Sequence, residues 1–143
     1  MKLVMVVAFG VVVGCTGRDQ ESSVESALTS CVDLPAVADA ELRNPPGSQN
    51  FGSLPTLQVS NKVESVVRFD LSSLPTLSAI DSASLNVYVN GTAGSTINTH
   101  RVTTAWDEAT VSYATFAQHF DPQIAASFSL VAGQRGPRSV DLQ

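Results

Sequence analysis

The sequence has few basic residues. Eight Lys and Arg stand against 13 Asp and Glu, so the formal net charge is −5 at pH 7. Binding to nucleic acid requires clustered cations that displace the counterions of the phosphates, and the chain has no such stripe. We therefore expect no nucleic-acid partner.

Residues that support catalysis are also scarce. The chain has two histidines, and neither belongs to a Ser-His-Asp or HExxH arrangement. Its one tryptophan, Trp106, precedes two carboxylates, Asp107 and Glu108. Neighbouring carboxylates point in different directions, whereas a catalytic pair converges on a substrate from two sides. The sequence predicts no enzyme and a structural corner, in which Trp106 fills the end of the core and Glu108 accepts backbone N–H bonds at the turn into a strand over 110–114.

No apolar run is as long as the roughly 20 residues that a membrane-spanning helix needs. The run from Leu3 to Val13 follows Lys2 and ends in Gly14-Cys15, which resembles a bacterial lipoprotein signal. Residues 1–14 are the predicted leader, and Cys15 is the predicted lipidation site that anchors the chain to a lipid bilayer. The chain is then expected at the cell surface, on the outer membrane if the host is Gram-negative. An ordinary signal peptide or an uncleaved anchor is the alternative.

Residues 15–35 are predicted to be the lipidated cysteine and a flexible tether, because they are polar and rich in Ser. Cys31 lies in this segment and has no second cysteine to pair with once Cys15 carries lipid. Intermolecular pairing and a free thiol both stay open for it. The folded domain is expected over residues 36–143.

From Ala36 onward, short alternating segments are separated by Pro, Gly, Ser and Asn, which is typical of an all-β sandwich or barrel. Strands are expected over 37–42, 56–60 and 62–69. The segment 82–89 alternates most clearly, with Val87 and Val89 inward and Asn86 and Tyr88 outward. Asn90-Gly91 is a common turn pair, so the sequence predicts a β-hairpin over 82–103.

Six motifs, in this order, give the chain its resemblance to a family. The motifs cover about residues 36 to 114, and they are Asp39, Asn50-Phe51-Gly52, Arg68-Phe69-Asp70-Leu71-Ser72, Ser82-Ala83-Ser84-Leu85, Trp106-Asp107-Glu108 and Thr110-Val111-Ser112-Tyr113. Together they resemble the bacterial extracellular domain called DNRLRE and the modules grouped as carbohydrate-binding module family 96.

The resemblance implies an antiparallel jelly-roll β-sandwich in a secreted or surface-attached, non-catalytic module that binds polysaccharide. A structural or adhesive spacer without a glycan ligand is the alternative. The family continues with further strands after the position of Tyr113, whereas this sequence reaches "RSVDLQ" and stops at Gln143. We therefore expect a domain that lacks its C-terminal strands.

Sugar-binding modules stack aromatic rings on pyranose faces and surround them with polar groups. Aromatics make up only 6% of the chain, and the two tyrosines, Tyr88 and Tyr113, are the available platforms. Tyr88 is preferred because its strand neighbours face inward. Four polar residues are candidates to accompany it, and a solvated sheet face is the alternative for each: Arg43, Asn86, His100 and Arg101.

A structural calcium ion is the one cofactor that the sequence raises. Calcium takes carboxylate, amide and backbone oxygens as ligands, and jelly-roll modules often hold such an ion. The candidate ligands are Asp39, Asn50 and Asp70, although they lack the spacing of a dedicated calcium loop.

Overall fold

The computed structural model describes residues 3–12, 32–74, 80 and 82–142. Within these residues it has nine strands and one short helix. The predicted lipidation site Cys15 and the thiol of Cys31 lie outside the described residues. The elements are β1 (Leu3–Val12), β2 (Asp33–Leu34), β3 (Ala36–Arg43), β4 (Leu57–Val59), β5 (Val63–Phe69), β6 (Ala83–Gly91), β7 (Ser95–Val102), α1 (Tyr113–Phe116), β8 (Phe120–Leu130) and β9 (Gly136–Leu142).

The strands form one large sheet and two strand pairs, and every pairing is antiparallel. The large sheet has the order β2-β1-β6-β9, and β4 also pairs with β1. The two pairs are β3 with β5 and β7 with β8. The strands β3, β4 and β5 match the alternating segments of the sequence at 37–42, 56–60 and 62–69, so these predictions are confirmed.

Two apolar clusters hold the layers together. In the first, Val87 and Val89 of β6 pack against Ile97 of β7 and Leu130 of β8, which joins the large sheet to the β7–β8 pair. In the second, Ala40, Leu42 and Val66 of the β3–β5 pair contact Val111 and Phe116. Burial of this apolar surface is the main favourable contribution to folding. The architecture is the all-β sandwich that the sequence predicts.

The predicted hairpin over 82–103 is wrong. Both strands exist, but β6 pairs with β1 and β9 whereas β7 pairs with β8. The chain crosses from one layer to the other at residues 92–94, where Gly94 has φ +84° and its N–H donates to Thr92 Oγ1 over 2.9 Å. The Asn90-Gly91 pair ends β6 rather than forming a two-residue turn. Alternation identifies a strand, but it does not identify the strand's partner.

The predicted strand over 110–114 is also wrong. Residues 108–110 form a turn, and α1 begins at Tyr113. Ser112 caps this helix because its hydroxyl accepts the Thr115 N–H, while the Thr115 hydroxyl accepts the Ser112 N–H. This reciprocal pair is a capping box with Thr in the place of Glu or Gln. These local hydrogen bonds therefore stabilise a helical turn in a segment whose β-branched residues favour a strand.

The termini carry strands that the sequence did not reveal. Residues 120–130 and 136–142 form β8 and β9, and β9 pairs with β6 along its length. Near the N-terminus, Leu3–Val12 of the predicted leader forms β1, and β2 begins at Asp33 within the predicted tether. The leader and the absence of final strands both stay predictions.

Candidate functional site

The corner at residues 106–110 holds two carboxylates that diverge. Glu108 Oε1 accepts the backbone N–H of Asp39 on β3 over 3.0 Å. Asp107 Oδ1 instead accepts the N–H of Ala109 over 3.1 Å and the hydroxyl of Thr110 over 3.2 Å. The two groups therefore do not face a common substrate. Glu108 accepts a backbone N–H as expected, but the donor lies on β3 and not in the following turn.

Asn50 fastens a loop to this corner. Its side-chain amide donates to the carbonyl oxygens of Glu108 over 2.8 Å and Val111 over 2.7 Å, while its Oδ1 accepts the N–H of Gly52 over 3.2 Å. A Cβ at Gly52 would lie 2.0 Å from the Glu108 carbonyl oxygen, so only glycine permits this approach. The Asn-Phe-Gly motif is thus explained by packing against the corner.

Two arginines stack on aromatic rings near the same corner. Arg68 donates to the Trp106 carbonyl over 3.0 Å, and its guanidinium lies 5.4 Å from the centre of the Trp106 ring. Arg43 lies 4.2 Å from the centre of the Phe51 ring and forms a 2.6 Å ion pair with Glu41. Because Glu41 is almost fully buried, Arg43 serves to neutralise it. Arg43 is therefore committed within the fold rather than free for a glycan.

The calcium candidates do not form a ligand cage. The Asn50 side chain bonds to two carbonyls, and Asp70 accepts the Ser72 N–H over 2.9 Å at the end of β5. Burial raises the pKa of Asp39, and the neighbouring Glu108 carboxylate raises it further. Among the described residues, no group of three His, Cys, Asp or Glu side chains is placed to share a metal ion.

The exposed face of β6 carries the preferred sugar platform. Tyr88 is 45% exposed and shares this face with Asn86, two residues earlier on the strand. The register with β9 sets Tyr88 opposite Pro137 and Asn86 opposite Ser139, and both β9 residues are exposed. We call these four residues the Tyr88 face. On this face the exposed Tyr88 ring lies beside the polar side chains of Asn86 and Ser139 and opposite Pro137, while β1 pairs with the other edge of β6.

His100 and Arg101 lie elsewhere, on β7. His100 Nδ1 is 2.9 Å from the Asp121 carbonyl and 3.1 Å from the Gln123 carbonyl, so this nitrogen carries a hydrogen. Arg101 forms an exposed 3.2 Å ion pair with Asp121. The five predicted sugar-binding residues are thus distributed over three places, and only Tyr88 and Asn86 share a surface.

A polar cleft lies where β3 ends, β5 begins and α1 begins. It has a volume of about 90 Å³. The sequence singled out only Tyr113 of its lining, because the rest comes from turns whose Asn and Ser residues are ordinary in any loop. We call it the Tyr113 cleft, and it is lined by Asn44, Ser60, Asn61, Lys62, Val63, Glu64 and Tyr113.

Comparison of the sequence with models of known protein families identifies the family of the chain. The model of carbohydrate-binding module family 96 matches residues 30–136, which is more than half of the chain. The chain belongs to carbohydrate-binding module family 96. No curated protein and no solved structure gives a significant match to the chain. Membership confirms the resemblance carried by the six motifs.

As a family 96 module, the protein is a carbohydrate-binding domain of a non-catalytic class. In the part of the chain that the structure describes, no helix is long and apolar enough to cross a membrane. The match also begins at residue 30, after the predicted leader.

Proposed function

We propose that this protein is a polysaccharide-binding module of the bacterial cell surface and that it binds its glycan on the Tyr88 face. The exposure of the Tyr88 ring is the observation that carries the proposal. An exposed aromatic ring with polar neighbours can stack on the face of a sugar while those neighbours bond to the sugar hydroxyls.

The surroundings of the ring support a glycan rather than an apolar partner. Asn86 offers both a donor and an acceptor, and Ser139 on the neighbouring strand adds a hydroxyl. Sugar hydroxyls need both kinds of group. From residue 84 to residue 88 the strand runs roughly 13 Å, so the face has room for more than one sugar residue of a chain.

The N-terminal segment would attach the module to the membrane. The Lys2, apolar and Gly14-Cys15 pattern supports lipidation of Cys15, which would hold the module on the membrane while the face stays in solvent. Binding would then keep the cell against a polysaccharide. Without a glycan ligand, the same arrangement would serve only as a spacer.

Thermal shift and affinity electrophoresis of the full chain with neutral and acidic polysaccharides test the proposal. A ligand that binds only the folded state raises the melting temperature. We expect Tyr88→Ala to weaken binding by about tenfold or more and Tyr88→Phe to retain it, because stacking needs the ring and not the hydroxyl. Ile124→Ala is the matched control, since Ile124 is also exposed but lies on β8. A cooperative melt that no polysaccharide shifts would favour the spacer.

A further inference from the structure

The Tyr113 cleft brings polar groups from three parts of the chain together around one aromatic ring. Asn44, Asn61 and Lys62 are exposed and Tyr113 is half-buried, and within the described part of the chain their side-chain polar groups bond to water rather than to protein. Four such groups and one carboxylate, Glu64, meet around one ring. We propose that this cleft is a second binding site, which takes a single neutral sugar residue through two adjacent hydroxyl groups.

The turn that supplies most of the lining is held in place by its own hydrogen bonds. The Ser60 N–H donates to the Val63 carbonyl over 2.8 Å, and the Lys62 N–H donates to Ser60 Oγ over 3.2 Å. The Asn44 N–H donates to the Lys62 carbonyl over 2.9 Å. These bonds fix the backbone under the polar side chains, so little backbone order has to be gained when a ligand binds.

Tyr113 is fixed from the opposite side. It is the first residue of α1, and the next residue, Ala114, donates its N–H to the Gly47 carbonyl over 2.7 Å. Its ring is half-buried against the second apolar cluster. The helix start therefore sets the aromatic wall of the cleft.

The charges in the cleft select a neutral ligand. Lys62 is a donor only, ionised Glu64 is an acceptor only, and the two amides are both. A sugar hydroxyl both donates and accepts, so two neighbouring hydroxyls satisfy Lys62 and Glu64 together. Lys62 and Glu64 already balance each other, so an acidic or an amino sugar would bring one uncompensated charge into the cleft.

Glu64 is the half-buried carboxylate of the cleft. Burial raises the pKa of Glu64, while the nearby His100 opposes that rise. His100 is itself oriented by the Asp121 and Gln123 carbonyls. His100 therefore lies close enough to Glu64 to act on its charge, but it does not line the cleft. The cleft, at about 90 Å³, is well below the roughly 300 Å³ of an ordinary ligand pocket, so it admits only the edge of one sugar ring that carries two hydroxyls, in contrast to the extended Tyr88 face.

The site can be tested by NMR titration of the ¹⁵N-labelled full chain with methyl glycosides of glucose, galactose and mannose. Methyl galacturonoside and glucosamine are the charged comparators. We expect at least one neutral glycoside to shift the backbone amides of Asn61, Lys62 and Glu64 with a millimolar Kd, and both charged sugars to bind more weakly. Glu64→Gln should weaken binding by about tenfold, because a hydrogen bond to a charged acceptor is replaced by one to a neutral acceptor.

Two controls separate this site from the Tyr88 face. Tyr88→Ala should leave the glycoside shifts unchanged even where it abolishes polysaccharide binding, and Asp33→Asn changes a remote exposed carboxylate in the same way as Glu64→Gln. If Glu64→Gln loses its dispersed spectrum, Lys62→Met takes its place with the same expected weakening. The proposal is overturned if no neutral glycoside shifts these amides, if a charged sugar binds more tightly, or if the cleft variant binds like the wild type.

Discussion

The carboxylate of Glu108 accepts a hydrogen bond from the backbone N–H of Asp39, 69 residues earlier in the chain. This bond ties the corner after β7 to the middle of β3. It also brings the Asp39 carboxyl near a second negative charge, and the pKa of Asp39 is raised by burial first and by Glu108 second. The proximity of the two carboxyl groups therefore lowers the free energy of unfolding by an amount that grows as Asp39 ionises.

Replacing Asp39 by Asn is expected to stabilise the protein at neutral pH. A raised pKa in the folded state means that the protonated form of Asp39 fits the fold better than the ionised form. Its contribution to stability is present below the unfolded value near 3.8 and is lost as the pH rises through the folded value. Thermal melts of wild type and Asp39→Asn should therefore separate at pH 7 and converge at about pH 3.

Asp70→Asn is the matched control, with the opposite sign. Hydrogen bonds from the backbone and side chain of Ser72 lower the pKa of Asp70, so its ionised form is the favoured one. Asp70→Asn should lower the melting temperature at pH 7, and the difference should vanish as the pH falls through the folded pKa. If both variants shift the melt in the same direction, the assignment of the two pKa directions is wrong.

Asn50→Ala should destabilise the fold by about 1–3 kcal/mol. It removes two donors from the carbonyl oxygens of Glu108 and Val111, and each such bond contributes about 0.5–1.5 kcal/mol. Urea unfolding gives the free energy directly. Gln49→Ala changes an exposed neighbouring amide and should leave that free energy nearly unchanged. Equal losses for the two variants would show that the loop is not fastened through Asn50.

Gly52→Ala should be more damaging than Asn50→Ala, at about 3 kcal/mol or more. Its new methyl group would meet the backbone of Glu108, which cannot move aside like the end of a flexible side chain. Gly91→Ala is the control, because a Cβ at Gly91 has no neighbour within 4 Å. Urea midpoints measured side by side should differ clearly between the two variants, and a wild-type midpoint for Gly52→Ala would contradict the close approach.

Export of the full chain in a bacterial host is expected to remove residues 1–14 and to add a lipid to Cys15. Intact mass measurement of the detergent-extracted protein tests both events, and Cys15→Ser should retain the leader and lack the lipid. A wild-type protein that keeps Met1 and carries no lipid would contradict the prediction. In that case Leu3–Val12 would act as the permanent strand β1 of the large sheet.

The positions of several strands were predictable because their residues alternate. In β6, Val87 and Val89 are buried while Tyr88 is exposed, as a period of two requires. The partners of those strands were not predictable, since a strand's pattern shows which face is buried and not which neighbour pairs with it. β8 escaped notice because its "FDPQIAASFSL" sequence holds a proline and two adjacent alanines in place of clear alternation.

In the candidate sites, too, neighbours along one strand were predictable and contacts between different elements were not. Tyr88 and Asn86 were predictable as neighbours because they are two residues apart on one strand. The Tyr113 cleft was not, because Asn44, Lys62 and Tyr113 come from three elements that only tertiary packing brings together. Likewise, the ion pair and ring contact of Arg43 depend on the buried Glu41 and on Phe51 from the following loop.

The crossing at residues 92–94 has a consequence for how the sequence can change. In a hairpin, adding a residue to the turn shifts the pairing of both strands against each other. Here β6 and β7 belong to different sheets, so a longer connection would leave both sets of ladder bonds in register. The Gly133 N–H to Thr92 carbonyl bond of 2.9 Å is the contact that a longer connection would have to preserve. An insertion just after Gly94 could therefore give this module a new loop, or carry an engineered reporter, without changing the strand pairing in either sheet.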